Sequence, residues 1–326
     1  MSHSNVATQI VDGVRAHPNA DRLDVATVTG YDVIVGRGSV TPGQVVVYFP
    51  PDNLIPESVA DELGVKKYMK HALYPGDLDR SQCRIGAARL RGVASFGFLI
   101  PTTLTDVDVD LTEVFKVVRY EPPIKAMQGD QIPEVSKFHR YTEIENVQRH
   151  AWKIPEGTPV VYTEKIHGAN CRIGVIDGEI VAGSHRCQCT SSGQGIYWTP
   201  WPVCHDLLSD MQEDGVDIII FGEVYGPGIQ NLTYDTTKVA FRCFDISING
   251  NYLPYLHFRE LCDRYHIPRV PTLAMGKFSR ETLNELTDGQ STLADHIREG
   301  VVVKALEEST TPRQILKSVS VDYLSQ

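Results

Sequence analysis

The sequence predicts an α+β protein with two domains, each built mainly from antiparallel strands. Its 326 residues are enough for two hydrophobic cores. Short β-prone runs recur between turns rich in glycine and proline, which favours hairpin-connected sheets over a doubly wound parallel sheet. Residues 121–135 lack hydrophobic periodicity and are rich in proline, glycine and polar residues. We therefore predict a linker there, between a first domain at 1–120 and a second at 136–326.

The first domain alternates short β runs with turns, a pattern typical of small barrels. Residues 17–23 read His-Pro-Asn-Ala-Asp-Arg-Leu and precede a β run, which resembles the opening of tRNA-binding OB-type domains. We therefore expect an N-terminal OB-like β-barrel that binds nucleic acid. Its predicted strands include 25–29, 31–35, 44–49 and 96–100, and a short helix is predicted at 57–63.

The second domain contains two hairpin signals. Asp177-Gly178 and Asn249-Gly250 each lie between β runs, and both dipeptides suit two-residue turns. The apolar run at 217–221 predicts a buried strand. The sequence has no glycine-rich P-loop, so a nucleotide would be held in another way. The other predicted elements are strands at 170–176, 179–182, 239–248, 252–253, 301–306 and 315–321, and helices at 205–211, 257–265 and 280–286.

Composition limits the classes of function. The net charge of −10 argues against broad non-specific binding of nucleic acid, although basic residues cluster at 66–71 and 80–91. The seven cysteines form no CxxC pair, which indicates reduced thiols. No apolar run approaches the roughly 18 residues of a membrane span, and residues 1–5 do not resemble a signal peptide. These features predict a cytoplasmic protein without a membrane partner.

One lysine lies where a nucleophile is expected. Residues 164–170 read Glu-Lys-Ile-His-Gly-Ala-Asn and place Lys165 between an apolar β run and a glycine turn. A lysine at a strand end can act as a nucleophile when partial burial and neighbouring cations lower its pKa. The Lys-x-x-Gly pattern alone arises about once by chance in a chain of this composition, so the neighbouring motifs decide its interpretation.

Five further stretches follow in order along the chain, and each carries charged or aromatic residues beside a predicted strand. They are 183–186 (Gly-Ser-His-Arg), 221–230 (Phe-Gly-Glu-Val-Tyr-Gly-Pro-Gly-Ile-Gln), 241–246 (Phe-Arg-Cys-Phe-Asp-Ile), 299–304 (Glu-Gly-Val-Val-Val-Lys) and 315–317 (Ile-Leu-Lys). Together with 164–170 they resemble the six motifs of the covalent nucleotidyltransferases. That superfamily contains the ATP-dependent RNA ligases, the DNA ligases and the mRNA capping enzymes.

The first motif indicates a subtype. His167 stands where DNA ligases and capping enzymes generally have aspartate, and the Lys-x-His-Gly-x-Asn pattern resembles the bacteriophage nick-sealing RNA ligases. This resemblance covers residues 137–320. An OB-type domain before the catalytic domain is similar to the Deinococcus-type RNA ligases. The resemblance implies that the second domain has the antiparallel-sheet nucleotidyltransferase fold, an ATP-grasp-like ligase architecture.

The resemblance also implies an activity. An RNA ligase of this kind transfers AMP from ATP to a lysine, passes it to an RNA 5′-phosphate, and displaces it with an RNA 3′-OH. All three steps are phosphoryl transfers, for which Mg²⁺ or Mn²⁺ is suited. The implied partner is RNA with 3′-OH and 5′-phosphate ends, including a nicked duplex or an RNA–DNA hybrid, and we expect a monomer.

Roles for individual residues follow from the motifs. Lys165 is the implied nucleophile, and Lys304 and Lys317 neutralise charge on the α-phosphate. Glu299 and Glu223 are the implied metal ligands. The implied AMP- and ATP-binding residues are Glu164 at the adenine amino group, Asn170 for orienting strand ends, Arg186 and Glu223 at ribose or phosphate, and Phe244 for stacking on adenine, with Phe241 as its competitor. Outside this set, Asp245 is expected to orient its neighbours, and Gln230 is a candidate contact to RNA or phosphate. Plainer alternatives remain, such as a solvated charge for Glu164, a surface salt bridge for Arg186 and core packing for Phe244.

Two positions depart from the phage pattern. Val319 replaces the second lysine of the last motif, so either Arg313 substitutes for it or adenylylation of the lysine is slower. His185 stands where another basic residue is frequent, which would weaken phosphate contact above neutral pH. The spacing of His185, Cys187 and Cys189 is too tight for a usual zinc site.

Two alternative functions remain open at the level of sequence. The chain could be an ATP-dependent DNA ligase, although His167 and the position of the OB-type domain argue against this. It could also be an RNA- or tRNA-binding protein with a decayed ligase domain, although the charged motif residues are present as a set.

Overall fold

The computed structural model of the protein describes residues 5–73, 81–120, 131–132, 135–185, 187–189, 195–308 and 312–324. The chain divides into two units, one of residues 1–123 with 324–326 and one of residues 124–323. The division after Pro123 falls within the segment predicted as a linker. None of the helices in the described ranges has the length and apolar character that a bilayer crossing requires.

The first unit consists mainly of antiparallel sheet. Its elements are β1 (Ala7–Ala16), β2 (Leu23–Val28), β3 (Tyr31–Gly36), β4 (Val45–Phe49), β5 (Asn53–Pro56), α1 (Glu57–Glu62), β6 (Lys70–Leu73), β7 (Ser81–Ile85), β8 (Ala87–Leu90), β9 (Val93–Phe96), β10 (Phe98–Pro101) and β11 (Val118–Arg119). One sheet has the order β10-β4-β1-β2-β3, a second has the order β11-β5-β7-β6, and β8 pairs with β9. The OB-like barrel prediction is confirmed.

Strand β4 explains why residues 45–49 are apolar at every position. Val47 and Phe49 pack into one buried cluster, and Val46 and Tyr48 pack into another. Successive side chains of a strand point to opposite faces, so β4 is buried on both sides. It therefore lies at the centre of the unit, between β1 and β10.

The predicted strand at 96–100 is wrong in one respect, because the structure divides it into β9 and β10. Gly97 lies between them with φ +76°, and a Cβ there would come 2.0 Å from the backbone oxygen of Phe49. Only glycine combines this φ with this close approach. The chain can therefore leave the β8–β9 hairpin and join β4 within one residue.

The residues of the 17–23 motif anchor the β8–β9 hairpin. The ring of the buried His17 lies with Nε2 3.1 Å from the backbone oxygen of Leu90, and Nδ1 accepts a hydrogen bond from the Asn19 backbone. The Asn19 side chain donates to the backbone oxygen of Arg91. The motif thus fixes the hairpin tip, where Arg89 and Arg91 are exposed.

The second unit contains two larger sheets and short helices. Its strands are β12 (Gln131–Ile132), β13 (Glu145–Asn146), β14 (Pro159–Lys165), β15 (Ala169–Ile176), β16 (Glu179–Ser184), β17 (Gln188–Cys189), β18 (Ile218–Tyr225), β19 (Ala240–Ile248), β20 (Asn251–Tyr252), β21 (Thr272–Lys277), β22 (Gly300–Ala305) and β23 (Ile315–Val319). Its helices are α2 (Val147–His150), α3 (Trp201–Glu213), α4 (Tyr255–Arg264), α5 (Arg280–Thr287) and α6 (Val321–Leu324). The large sheet has the order β12-β17-β16-β15-β18-β19-β20, and the small sheet has the order β13-β23-β22-β14-β21.

The hairpin predictions agree with the structure, and two details need correction. Asp177 and Gly178 have φ of 50° and 81°, as a type I′ turn requires. The sheets are antiparallel except that β13 pairs in parallel with β23. The strand predicted at 315–321 ends at Val319, and Val321 begins α6. Two residues of parallel pairing and a four-residue helix are too short to leave a periodic signal.

The two sheets face each other, and the candidate site lies on the facing sides. Ile219 and Phe221 of the large sheet pack in one cluster with Ile315 and Val302 of the small sheet. Helices α3 and α4 cover the other side of the large sheet, and α5 covers the other side of the small sheet. Residues on the facing sides are therefore held by rigid strands, which suits a catalytic site.

Candidate active site

The three predicted catalytic lysines share one side of the small sheet. Lys165 pairs with Gly300 at the end of β14, Lys304 pairs with Val161, and Lys317 pairs with Val302. Paired residues and their i±2 neighbours point to the same side of a sheet. This side faces the large sheet, so the three motifs that carry these lysines share one surface.

Lys165 forms an ion pair with Glu299. Its Nζ lies 2.6 Å from Glu299 Oε1, and both side chains are mostly buried. Burial favours the neutral form of Glu299, but the charges of Lys165 and His167 outweigh it and lower the pKa of the carboxyl below its usual value. Glu299 is therefore ionised at neutral pH.

Glu299 also has a spare ligand atom. Its Oε2 is buried and has no hydrogen-bond partner among the described residues, and it lies 3.7 Å from His167 Nδ1. A buried carboxylate oxygen without a partner is suited to a metal-bound water. Within the described ranges no group of three or more His, Cys, Asp and Glu side chains is arranged around a metal position. A divalent ion here would need oxygens from substrate and water as well, as Mg²⁺ usually does.

Glu223 extends from β18 toward the same region. It pairs in register with Asn170 on the neighbouring strand, and Gly168 packs directly against it. A Cβ on Gly168 would lie 2.8 Å from Glu223 Cγ and 2.3 Å from the Val224 backbone oxygen. Burial raises the pKa of Glu223 to about 8, Lys165 opposes this shift, and the Glu299 charge adds to it. Lys165, Glu223 and Glu299 thus form one electrostatically coupled group.

His167 is held by two tyrosines that sequence reasoning missed. Its backbone N–H donates to the hydroxyl of Tyr234 at 2.6 Å. The hydroxyl of Tyr323 lies 2.9 Å from Nδ1 of the His167 ring. Neither tyrosine belongs to a motif, and no spacing in the sequence relates Tyr323 to a residue 156 positions earlier. Only the folded chain brings them together.

Lys304 lies in a buried network of charges. Its Nζ is 3.0 Å from Asp245 Oδ1 and 3.7 Å from Glu308. Asp245 also accepts hydrogen bonds from Tyr141 at 2.9 Å and from Arg313 at 2.7 Å. Burial acts to raise the pKa of Asp245, but the charges of Lys304 and Arg313 outweigh it and lower the pKa. Asp245 therefore orients its neighbours, and the network ties β22 to β19.

Arg313 is engaged in the same network. Its guanidinium hydrogen-bonds to Asp245 and Glu308 and stacks 3.6 Å from the ring centroid of Tyr252. A cation this well paired has little charge left to offer a phosphate. The geometry therefore does not favour Arg313 as the substitute for the lysine replaced by Val319.

Glu164 points away from Lys165, as expected for adjacent strand residues. It pairs with Val301 on the α5 side of the sheet and is 1% exposed. Its carboxylate accepts hydrogen bonds from Ser291 Oγ at 2.5 Å, Thr292 N at 2.8 Å and Thr292 Oγ1 at 2.7 Å. The solvated-charge alternative is therefore wrong, and Glu164 fixes the loop that follows α5.

The structure distinguishes the two candidate stacking residues. The Phe241 ring fills the space above Gly222, where an added Cβ would lie 2.2 Å from Cε2. Phe244 is only partly buried and packs edge-on against Tyr141 with ring centroids 4.8 Å apart. It lies at a bulge where β19 gains one residue relative to β18. Bulges redirect side chains, so Phe244 is the ring better placed to meet a ligand.

Other predicted residues are placed as follows. The Oδ1 atom of Asn170 is buried without a hydrogen-bond partner among the described residues. Gln230 Nε2 lies 3.4 Å from the Gly168 backbone oxygen, so this side chain lies beside the nucleophile motif. Lys317 is partly buried on β23. Arg186 lies outside the described residues.

Comparison with known proteins gives two family matches. Residues 158–319 match the model of the RNA ligase family, and residues 6–102 match that of an OB-fold domain. No curated protein shows significant sequence similarity to the chain.

Solved structures of Naegleria gruberi RNA ligase have the same fold. A lysine-to-alanine mutant with ATP and Mn aligns with a TM-score of 0.84 over 98% of both chains, at 22% identity. A lysine-to-methionine mutant with AMP and Mn aligns with a TM-score of 0.85 over 99% of this chain and 98% of that one, at 22% identity. The enzyme with PPi aligns with a TM-score of 0.84, at 22% identity and the same coverage. The aligned residues include both units of the chain, so each unit has a counterpart of the same fold in that enzyme.

Proposed function

We propose that the chain, which matches the RNA ligase family over residues 158–319, joins RNA 3′-OH and 5′-phosphate ends through a lysyl-AMP intermediate. The observation that carries this proposal is the grouping of Lys165, Glu223 and Glu299 at one end of the facing sheets. The solved enzymes of this fold hold ATP, AMP, Mn and PPi, which supports ATP as the AMP donor and a divalent metal as its companion.

In the first step Lys165 attacks the α-phosphorus of ATP. The bond from Nζ to phosphorus forms as the bond to pyrophosphate breaks, and one proton leaves the ammonium before the attack. The ion pair with Glu299 holds Nζ in position for this attack. Lys317, on the same side of the sheet, is placed to offset the charge that develops on the phosphate.

A divalent metal fits the carboxylates at this site. Glu299 offers a buried Oε2 that has no hydrogen-bond partner within the described part of the chain, and Glu223 becomes an ionised carboxylate when its proton is released. Bound there, Mg²⁺ or Mn²⁺ would supply positive charge to the phosphate oxygens. A divalent cation would further offset the cost of ionising the partly buried Glu223, so metal binding and proton release are coupled.

In the second step the AMP passes from Lys165 to the RNA 5′-phosphate, and the phosphoramidate bond breaks as a phosphoanhydride forms. In the third step the RNA 3′-OH attacks that 5′-phosphate and AMP leaves. Asn170 is adjacent to Glu223 and has a buried acceptor, Oδ1, that no described residue contacts by a hydrogen bond, which supports its role at the strand ends. Phe244 is assigned to the adenine ring, and Arg186 to ribose or phosphate.

The existing contacts of Lys304 and Glu164 limit the roles that these two residues can have. Lys304 shares its charge with Asp245 and Glu308, so we propose that it acts on the α-phosphate from within a fixed network rather than as a mobile cation. Glu164 already accepts three hydrogen bonds, so any contact with the adenine amino group uses a remaining lone pair of a preoriented carboxylate.

The first unit is proposed to bind the RNA. Of its basic residues, Lys66 is paired with Glu57 and Asp61, and Arg84 is paired with Asp52. Arg89 and Arg91 are exposed at the tip of the β8–β9 hairpin, where two arginines lie close together in the chain, and we propose them as phosphate contacts. We also propose that the protein acts in the cytoplasm and that it is a monomer. Gel filtration of the full chain tests the oligomeric state.

Labelled ATP tests the proposal directly. With α-labelled ATP and Mg²⁺, the wild-type chain is expected to acquire one covalent label, and Lys165→Ala is expected to lose it. Lys137→Ala is the matched control, because Lys137 pairs with Asp177 at the exposed end of a hairpin and should label normally. A chain that takes no label would support a decayed RNA-binding protein instead.

Nicked duplexes then distinguish between ligase types. We expect sealing when the 3′-OH side of the nick is RNA, and much slower sealing of an all-DNA nick. Preference for the all-DNA nick would favour the DNA ligase alternative. Single-stranded RNA ends, compared with the nick, show whether a template strand is required.

A further inference from the structure

Tyr323 lies beyond every recognised motif, yet it contacts the nucleophile motif. The match to the RNA ligase family ends at residue 319, and Tyr323 is on the short helix α6 that follows. Its hydroxyl lies 2.9 Å from Nδ1 and 3.3 Å from Nε2 of His167, and the two rings meet at 62° with centroids 5.3 Å apart. The contact is therefore both a hydrogen bond and an edge-on packing of rings.

The backbone beside Glu299 sets the position of Tyr323. The backbone N–H of Ser320 donates to the backbone oxygen of Glu299 at 2.9 Å, and Ser320 is fully buried. The Ser320 hydroxyl donates to Asp288 at 2.7 Å and accepts from the Tyr323 backbone N–H at 3.2 Å. The start of helix α6 is thus hydrogen-bonded through Ser320 to the backbone of Glu299, the residue before β22.

His167 connects this tyrosine to the nucleophile. The ring Nδ1 lies 3.7 Å from Glu299 Oε2, and Glu299 Oε1 pairs with Lys165 at 2.6 Å. The other side of the motif is held through the backbone, where Tyr234 accepts from the His167 N–H. Tyr323 thus contacts the His167 ring, and the same ring nitrogen that Tyr323 approaches lies beside the Glu299 carboxylate.

We propose that Tyr323 is a positioning residue for the transfer of AMP to Lys165. Its hydroxyl fixes the His167 ring against Glu299, and the ring in turn fixes the carboxylate that orients the lysine. This inference rests on the proposed function, because it assigns Tyr323 to the lysine adenylylation step. It adds to the site a residue that lies outside the ligase motifs and depends on the C-terminal helix.

The test uses Tyr323→Phe in the full chain, which removes one oxygen and keeps the ring packing. At saturating ATP the rate constant for labelling Lys165 is expected to fall about tenfold, as for the loss of one hydrogen bond beside a charged pair. The ATP concentration for half-maximal rate is expected to stay within about twofold. Tyr265→Phe is the matched control, because it removes a tyrosine hydroxyl bonded to Asp210 on α3, and its labelling rate should not change.

A double-mutant cycle separates positioning from general support of the fold. If Tyr323 acts through His167, Tyr323→Phe should have almost no further effect in a His167→Ala background. An undiminished effect in that background, or a wild-type rate for Tyr323→Phe alone, would overturn the inference. The ring-nitrogen NMR signals of His167, identified by their loss in His167→Ala, should move in Tyr323→Phe and stay in Tyr265→Phe. Absence of any label on the wild-type chain would instead count against the proposed function.

Discussion

The ammonium of Lys165 lies 2.6 Å from a carboxylate oxygen of Glu299, and these two residues are 134 positions apart in the chain. The pair forms because Lys165 ends β14 opposite Gly300, the residue after Glu299. Gly300 has φ +152°, and a Cβ there would lie 2.1 Å from the Ser318 oxygen, so the strands meet more closely than other residues allow. Gly300 thus allows the close strand pairing that places the preceding residue, Glu299, beside Lys165.

Replacing Glu299 by glutamine should slow adenylylation of Lys165. The amide keeps the shape but loses the charge that orients the ammonium and attracts a metal. We expect a fall of at least about tenfold in the labelling rate and a higher Mn²⁺ requirement, in line with the loss of a charged group at a phosphoryl-transfer site. Labelling rates measured across a Mn²⁺ titration check this. The control Glu179→Gln changes an exposed hairpin residue, and equal metal requirements in both variants would contradict a metal role for Glu299.

Glu223 should make the stability of the protein fall as pH rises. Its pKa is raised from the usual 4.5 to about 8 by burial, so the folded state keeps a proton that the unfolded state loses. The stabilisation is fully present below about pH 4.5 and is lost as pH rises through about 8. Urea unfolding at pH 5, 6.5, 8 and 9 should show that the difference between wild type and Glu223→Gln changes over this window. A difference that is constant with pH would show that Glu223 is ionised in the fold.

We expect that Gly168 cannot be replaced by alanine without loss of stability, whereas Gly276 can. A Cβ at 168 would come 2.3 Å from the Val224 oxygen and 2.8 Å from Glu223 Cγ, but one at 276 would have no atom within 4 Å. Neither glycine has the positive φ that would add backbone strain. We expect Gly168→Ala to lower the free energy of unfolding by about 2 kcal/mol, as overpacking does, and to reduce labelling of Lys165. Gly276→Ala should change neither quantity, and equal effects at both positions would refute this steric account.

Much of the fold was predictable because its strongest signals are local. The type I′ turn at 177–178 and the apolar run of β18 follow from short stretches of sequence. The resemblance of the motifs to those of the covalent nucleotidyltransferases also implied that Lys165 and Glu299 serve one reaction. The parallel pairing of β13 with β23 was not predictable, because it joins Glu145 to Leu316 across most of the domain.

The contacts at the site that the sequence did not predict also join residues that are far apart in the chain. The paired state of Lys304 and Arg313 depends on Asp245, which lies far from both along the chain, so no local pattern relates the three residues. The contact of Tyr323 with His167 depends on how a four-residue helix is capped by Ser320. Residue types in motifs therefore predicted which groups meet, but the ion pairs that restrain them required the folded chain.

The β8–β9 hairpin should contribute to sealing and not to adenylylation. Arg89 and Arg91 are exposed at its tip, which His17 and Asn19 hold in place. Replacing both arginines by alanine should weaken RNA binding by about tenfold and flatten the dependence of affinity on salt, since each phosphate contact adds to that slope. Labelling of Lys165 with ATP should be unchanged. The control Arg15→Ala removes an arginine of the same unit that is paired with Asp32 and should bind RNA normally. An unchanged salt slope in the double variant would show that the RNA backbone lies elsewhere.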